Sequence, residues 1–428
     1  MNEILPEPPA VVRNESEEVQ SLFQRNVIPS YGRFDLVMSH GSGTQVWDIA
    51  GKRYLDFGGG IAVCVLGHSP TAITDALVEQ SRRLVHISNL YYHPNQGRLA
   101  QALVALIGPG KCFFCNSGAE ANEGLYKLAR KFGHEEGRFE IITALNSFHG
   151  RTLAGIAATG QEKVKKGFEP AVPGFRHVPF NDLEAMRAAI SPATAAIMVE
   201  GIQGEGGLNP ATPEYLLGLR KLCDEKKLLL LFDAVQCGHF RTGRFQSYER
   251  ILEGVPGGEN FLPDGISMAK SLGGGFPIGA FWVRQPYAEL LNAGTHGTTY
   301  GGSPLGCAVA LKVLEVIRRE KLADNARQLG GSMKTALEEM AQKFPKVIRA
   351  VRGYGLILGF ELSPGIPEFQ GEGKTPAVRF TNLLHAAGLL IVPAGSLTIR
   401  LLPPLNLRKH EADEGLRIIE SVVAKIAN

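Results

Sequence analysis

From residue 111 onward the chain repeats one pattern: a short apolar run, then a stretch with apolar residues at helical spacing. The runs are KCFFC (111–115), EIITAL (140–145), AAIMVE (195–200), LLLLFDA (228–234) and DGISMA (264–269). Between the first two lies AEANEGLYKLARKFG, where Ala121, Leu125, Leu128 and Phe132 fall on one helical face. Runs that are apolar at nearly every position have no solvent side, so they belong in a mostly parallel sheet covered by helices on both faces. A chain of 428 residues exceeds the usual size of one core. Beyond about residue 320 the pattern changes to a long polar helix, LILGFEL, a Gly/Pro-rich loop at 364–376, another helix, TIRLL and a closing helix. At the other end TQVWDIAGKRYLDF alternates as an antiparallel hairpin turning at Ala50-Gly51. The expectation is an α/β chain in which 1–60 joins a small domain, 61–320 forms the large domain, and 321–428 forms a C-terminal α+β domain.

Charge and composition narrow the function. A formal net charge of +3, with Lys163 to Lys166 as the longest basic cluster, gives nucleic acid no footprint. No apolar stretch reaches membrane-spanning length, and the leading MNEILPEPPAVVRNESEEVQ lacks the basic and apolar regions of a secretory signal. The six cysteines are scattered, which fits a reducing cytosol. Cys112 and Cys115 form a single CxxC inside a strand-like run, without the second pair that a zinc site needs, so no metal is expected.

In open parallel sheets a ligand binds at the carboxyl ends of the strands, so residues just after each run carry most weight. Asn116-Ser117-Gly118-Ala119-Glu120 opens a helix: its free amides suit a phosphate, and Asn116 or Ser117 equally suits an ordinary N-cap. Phe148-His149-Gly150-Arg151 offers an aromatic to stack on a ring and an arginine to grip a carboxylate, or else a packed phenylalanine beside a surface arginine. VEGIQGEGG places Glu200 and Glu205 beside a glycine-rich loop after a strand: a turn explains most of it, and the alternative is a carboxylate that pairs with a movable arginine. Asp233 ends an almost purely apolar strand, where a carboxylate needs a cation or several donors. Lys270 follows another strand and precedes three glycines, as an exposed helix opening or as a desolvated nucleophile for a carbonyl. Together these are the groups that pyridoxal 5'-phosphate (PLP) requires: a carboxylate for the ring nitrogen, an amine for the aldehyde, an anion cradle and a stacking aromatic.

With these residues assembled, the sequence resembles the class III aminotransferases of PLP fold type I from about Tyr31 to the C-terminus. SMAKSLGGGFPIGA resembles the lysine motif, NSGAEAN the phosphate motif, FHGR the ring and carboxylate motif, and HGTTYGGSPLGCAVA the motif that follows the lysine. FHGRTLA, VEGIQGEGG, FNDL and TIRLLPPL look most like the acetylornithine and ornithine branch. The resemblance implies Lys270 as Schiff-base lysine and proton carrier, with Asp233 at the pyridine nitrogen and Gln236 at the ring hydroxyl. It implies Val235 and Phe148 on the two ring faces, and Ser117, Gly118 and Ala119 at the phosphate. Thr299 would reach the phosphate from the other subunit of a homodimer, and Arg151 would bind the substrate α-carboxylate. Glu205 and Arg400 would form a pair that opens for 2-oxoglutarate. The implied reaction moves the terminal amine of N-acetylornithine, or of ornithine, succinylornithine or 4-aminobutyrate, to 2-oxoglutarate, as in arginine biosynthesis.

Three positions depart from that pattern. Ala234 stands where DEVQ has glutamate, Gly201 where VEPIQGE has proline, and Phe240 where a small residue is usual. Aminomutase, racemase or decarboxylase chemistry on the same cofactor has no need of Glu205 and Arg400. A non-catalytic descendant has no need of Lys270, Asp233 and Arg151. A nicotinamide enzyme would require a GxGxxG with a later acidic residue, which is missing here.

Overall fold

A computed structural model describes residues 9–427, with side chains from Glu15 onward; the reading of the leading residues 1–8 lies outside it. Seven strands build the central sheet: β1 (Gly110–Cys115), β2 (Glu140–Ala144), β3 (Phe175–Val178), β4 (Thr194–Glu200), β5 (Leu229–Asp233), β6 (Gly265–Met268) and β7 (Gly279–Arg284). Their spatial order is β1-β7-β6-β5-β4-β2-β3. Neighbours from β6 to β3 run parallel, whereas β7 is antiparallel to both β6 and β1. Every residue of β4 and β5 is buried, as unbroken apolar runs require.

Five of these strands match the apolar runs, and two do not. β3, FRHV, carries two polar residues at the sheet edge, so its pattern is too short and too polar to stand out. β7 begins at the end of the lysine motif, whose last two residues, Gly279 and Ala280, open it. Only residues 269–278 separate it from β6, too few for a crossover helix, so the chain returns antiparallel. The helix Gly118–Gly133 buries Ala121, Leu125 and Leu128 as its spacing predicts, against residues of β5, β6 and β7.

The strands Ile348–Tyr354, Ile357–Leu362, Thr398–Leu401 and Val392–Ala394 form a second, antiparallel sheet in that order. The N-terminal strands pair as expected around residues 49–52, and Leu389–Leu390 adds to Arg53–Asp56 in parallel. One core surrounds the central sheet through Ile197, Val199, Phe232 and Trp282; another gathers Phe57, Phe360, Phe380 and Ile419. Phe240 packs against both. Among the described residues no helix is long and apolar enough to cross a membrane.

Candidate active site

The carboxyl ends of β4 and β5, the residues after β6, the loop 148–151 and the start of the helix Gly118–Gly133 enclose a cavity of about 440 Å³. Ser117, Phe148, Glu205, Asp233, Val235 and Lys270 all line it.

Asp233 is 4% exposed, lines the cavity and accepts on both carboxylate oxygens. Oδ2 accepts from Asn122 Nδ2 and from His149 Nδ1, each at 2.8 Å, and Oδ1 accepts from the Val235 amide at 3.0 Å. Burial pushes this carboxyl up, but the His149 hydrogen bond, the Val235 amide and Asn122 together hold it below the ordinary range. Asn122 and His149 were not assigned roles from sequence. Asn122 closes the phosphate motif NSGAEAN, one helical turn after Gly118, and His149 lies within FHGR; membership of those motifs is the signal that points to them.

Lys270 follows β6 with φ of 46°, a left-handed conformation that a β-carbon disfavours. Its neighbour Ser271 anchors the turn by donating from Oγ to Ala62 O at 2.7 Å. Burial draws the Lys270 amine below its usual range, and the nearby Glu205 carboxylate offsets part of the shift. At the far wall Ser117 caps the helix, its Oγ accepting from the Glu120 amide at 3.2 Å. The cap leaves the Gly118 and Ala119 amides without an acceptor among the described residues. A β-carbon at 118 would lie 2.7 Å from Val235 Cγ1, so only glycine lets the helix start lie against that wall. The two readings of Ser117 therefore coexist, because the N-cap is what frees the next two amides for an anion.

Phe148 and Val235 line the cavity, and the exposed Arg151 places its guanidinium 5.4 Å from the Phe148 ring centroid. Arg400, 1% exposed, does not line the cavity; it reaches it through Glu205 and Gln236. Its Nη1 donates to Glu205 Oε1 at 2.6 Å and to Gln236 Oε1 at 2.7 Å, while Gln236 Nε2 donates to Glu205 Oε1 at 3.2 Å. Burial opposes ionisation of Glu205, but the charge of Arg400 and its hydrogen bond keep the pKa lowered. Thr299 is exposed and lies outside this cavity, and its neighbour Thr298 accepts from Asn116 Nδ2 at 3.2 Å.

The three departures have structural counterparts. Ala234 is fully buried in the apolar core and does not line the cavity, so the missing glutamate is absent from beneath the site and not from its wall. Phe240 adopts φ of 66° and packs on Phe245 at 5.2 Å between ring centroids. At Gly201 a β-carbon would lie 2.2 Å from Ser247 Oγ and 2.9 Å from the Phe232 ring, so this loop has room only for glycine.

Known proteins with this arrangement agree on its class. The sequence profile of the family "Aminotransferase class-III" matches residues 28–423. The acetylornithine aminotransferase of Gloeobacter violaceus is 45% identical over 411 residues, covering 95% of this chain and 98% of its own length. That of Thermosynechococcus vestitus is 45% identical over 414 residues, covering 95% and 97%. Among solved structures, the ornithine aminotransferase of Toxoplasma gondii ME49 superimposes with a TM-score of 0.88 at 30% identity, over 98% of this chain and 99% of that one. The N-acetylornithine aminotransferase of Stenotrophomonas maltophilia K279a gives 0.78 at 33% identity, over 95% and 98%. With the family profile matching residues 28–423 and relatives 45% identical over 95% of it, the chain belongs to the class III aminotransferases.

Proposed function

We propose that this chain transfers the terminal amine of N-acetylornithine to 2-oxoglutarate, giving the semialdehyde and glutamate, with PLP as cofactor. The observation that carries the reading is one cavity holding a buried lysine, an ionised aspartate, a helix start with two free amides, and a closed Glu205–Arg400 pair at its side.

The residues fit this cofactor. The amides of Gly118 and Ala119 and the Ser117 hydroxyl suit a phosphate, Asp233 suits a protonated ring nitrogen, and the apolar Phe148 and Val235 suit the ring faces. When bound, PLP supplies an aldehyde for amines and a ring that takes up the electron pair left when a C–H bond beside nitrogen breaks. Asp233, whose charged form is favoured by its donors Asn122, His149 and Val235, would hold a proton on the ring nitrogen. Lys270, with its amine made less basic by burial, would hold the cofactor's aldehyde and, once the donor's amine had displaced it, would take the proton from the donor's δ-carbon. Arg151 binds the α-carboxylate, and Phe148 and Val235 keep water from the reacting atoms. In the closed Glu205–Arg400 pair the charges cancel beside an uncharged substrate chain. For 2-oxoglutarate one partner must leave, and Glu205 is the movable one: its side chain is 28% exposed against 1% for Arg400, and glycines flank it.

A homodimer is part of the same proposal. Leu90, Tyr91, Tyr92 and Tyr300 are all exposed, and Asn89 Nδ2 ties their two segments together by donating to Gly301 O at 2.8 Å. An apolar patch of this kind favours cover by a second copy, which would bring Thr299 to the partner's phosphate site.

Ornithine is the second reading, favoured by the TM-score of 0.88 to an ornithine aminotransferase. Glutamate formation from 2-oxoglutarate, measured with each amine in turn, separates the two. N-acetylornithine is expected to exceed ornithine by about 10-fold or more in kcat/KM; the reverse order would replace the donor.

A further inference from the structure

Glu200 ends β4 beside Asp233, its register partner on β5, and is 6% exposed in the cavity wall. Its two oxygens face two different loops. Oε2 accepts from the Phe148 amide at 3.2 Å, and Oε1 accepts from the Gly204 amide at 3.3 Å. The first loop carries the aromatic wall and Arg151; the second carries Glu205.

None of the roles above uses Glu200. Among the described residues it forms no ion pair, while Asp233 has His149 and Glu205 has Arg400. The charged groups facing it are Asp233, Glu205 and Lys270. A buried carboxyl without its own cation, beside an ionised aspartate, takes up a proton more readily than a free one. Burial first, and the Asp233 charge second, push it well above the ordinary range. A neutral carboxyl still presents an oxygen to each amide, so the position uses the reach of the side chain and not its charge.

We propose that Glu200 is a positioning residue, a carboxyl clamp that joins the loop of Phe148 and Arg151 to the loop of Glu205 and so fixes the spacing between the ring wall, the carboxylate site and the gate. The clamp rests on the reading of this cavity as a PLP site gated by Glu205 and Arg400. It requires both length and oxygen. Aspartate keeps the acid but is one methylene too short to reach both amides, whereas glutamine keeps the length and one acceptor.

The test compares Glu200→Gln, Glu200→Asp and Glu200→Ala with wild type in two ways: hydrogen exchange of the segments 146–151 and 202–207 in cofactor-free protein, and KM for both substrates in the loaded enzyme. In Glu200→Ala both segments should lose protection together and both KM values should rise about 10-fold or more, with Glu200→Asp close behind and Glu200→Gln nearer wild type. A Glu200→Asp variant that outranks Glu200→Gln would show that charge is what matters and would overturn the clamp. Unchanged protection in Glu200→Ala would overturn it equally, with no reference to activity. A wild-type protein that transaminates neither amine would bring down the reading of the site instead, and the exchange result would still judge the clamp.

Discussion

Placing alanine at Gly201 tests whether this loop and the helix Ser247–Ile251 are packed as one unit. The added β-carbon would lie 2.2 Å from Ser247 Oγ and 2.9 and 3.0 Å from two atoms of the Phe232 ring. Both neighbours are fully buried, so neither can swing into solvent. Ser247 Oγ also donates to Cys237 Sγ at 3.2 Å, a contact that is lost if the hydroxyl moves. Overpacking of this kind costs about 1–3 kcal/mol, and the hydrogen bond adds about 0.5–1.5 kcal/mol. Gly201→Ala alone should therefore cost about 1.5–4.5 kcal/mol. In a Ser247→Ala background the closest contact is gone and only the ring remains, so the same change should cost about 1 kcal/mol less or better. The assay is a double-mutant cycle on denaturant unfolding of protein without cofactor, which keeps ligand binding out of the comparison. A cost at Gly201 that is identical in the two backgrounds would refute the packing argument. The proline of the wider family at this position would follow the same rule, tolerated only once Ser247 has been trimmed.

Two further outcomes follow from the site and its surroundings. Lys270→Ala should abolish turnover and the imine absorbance of the bound cofactor together; an active variant with an intact imine band would refute the assignment. His68 donates from Nε2 to Asp56 Oδ2 at 2.7 Å, and that hydrogen bond, with a smaller contribution from Cys64 and against the effect of burial, raises its pKa from 6.5 to about 10. A raised pKa stabilises the fold fully below the unfolded value, and the gain is lost as pH rises through the folded one. His68→Gln should therefore lower the melting temperature most at about pH 6, with the gap closing towards about pH 10. A gap independent of pH would contradict this.

What was legible in the sequence tracks burial. β4 and β5 stood out because every residue in them is buried, and the lysine and aspartate were visible as charged residues at the ends of apolar strands. β3 and Ile348–Tyr354 did not stand out, because both are edge strands whose polar residues, Arg176 and His177 in one and Arg349 and Arg352 in the other, dilute the pattern. Within the site, the partners of Asp233 were hidden by distance along the chain: Asn122 is 111 residues away and His149 is 84. Only folding brings them together. The Glu205–Arg400 contact spans 195 residues and came from family resemblance alone. Gly201 read as an unexplained departure until Ser247 was seen to fill the space of its missing side chain.

The most direct test of the proposed function is a half-reaction. Purified, PLP-loaded protein is mixed with N-acetylornithine, ornithine and 4-aminobutyrate in turn, without keto acid, and the visible spectrum is followed. The expected result is conversion of the cofactor to its pyridoxamine form with N-acetylornithine, and its return on adding 2-oxoglutarate. A spectrum that shows bound cofactor but moves with none of the three amines would contradict it.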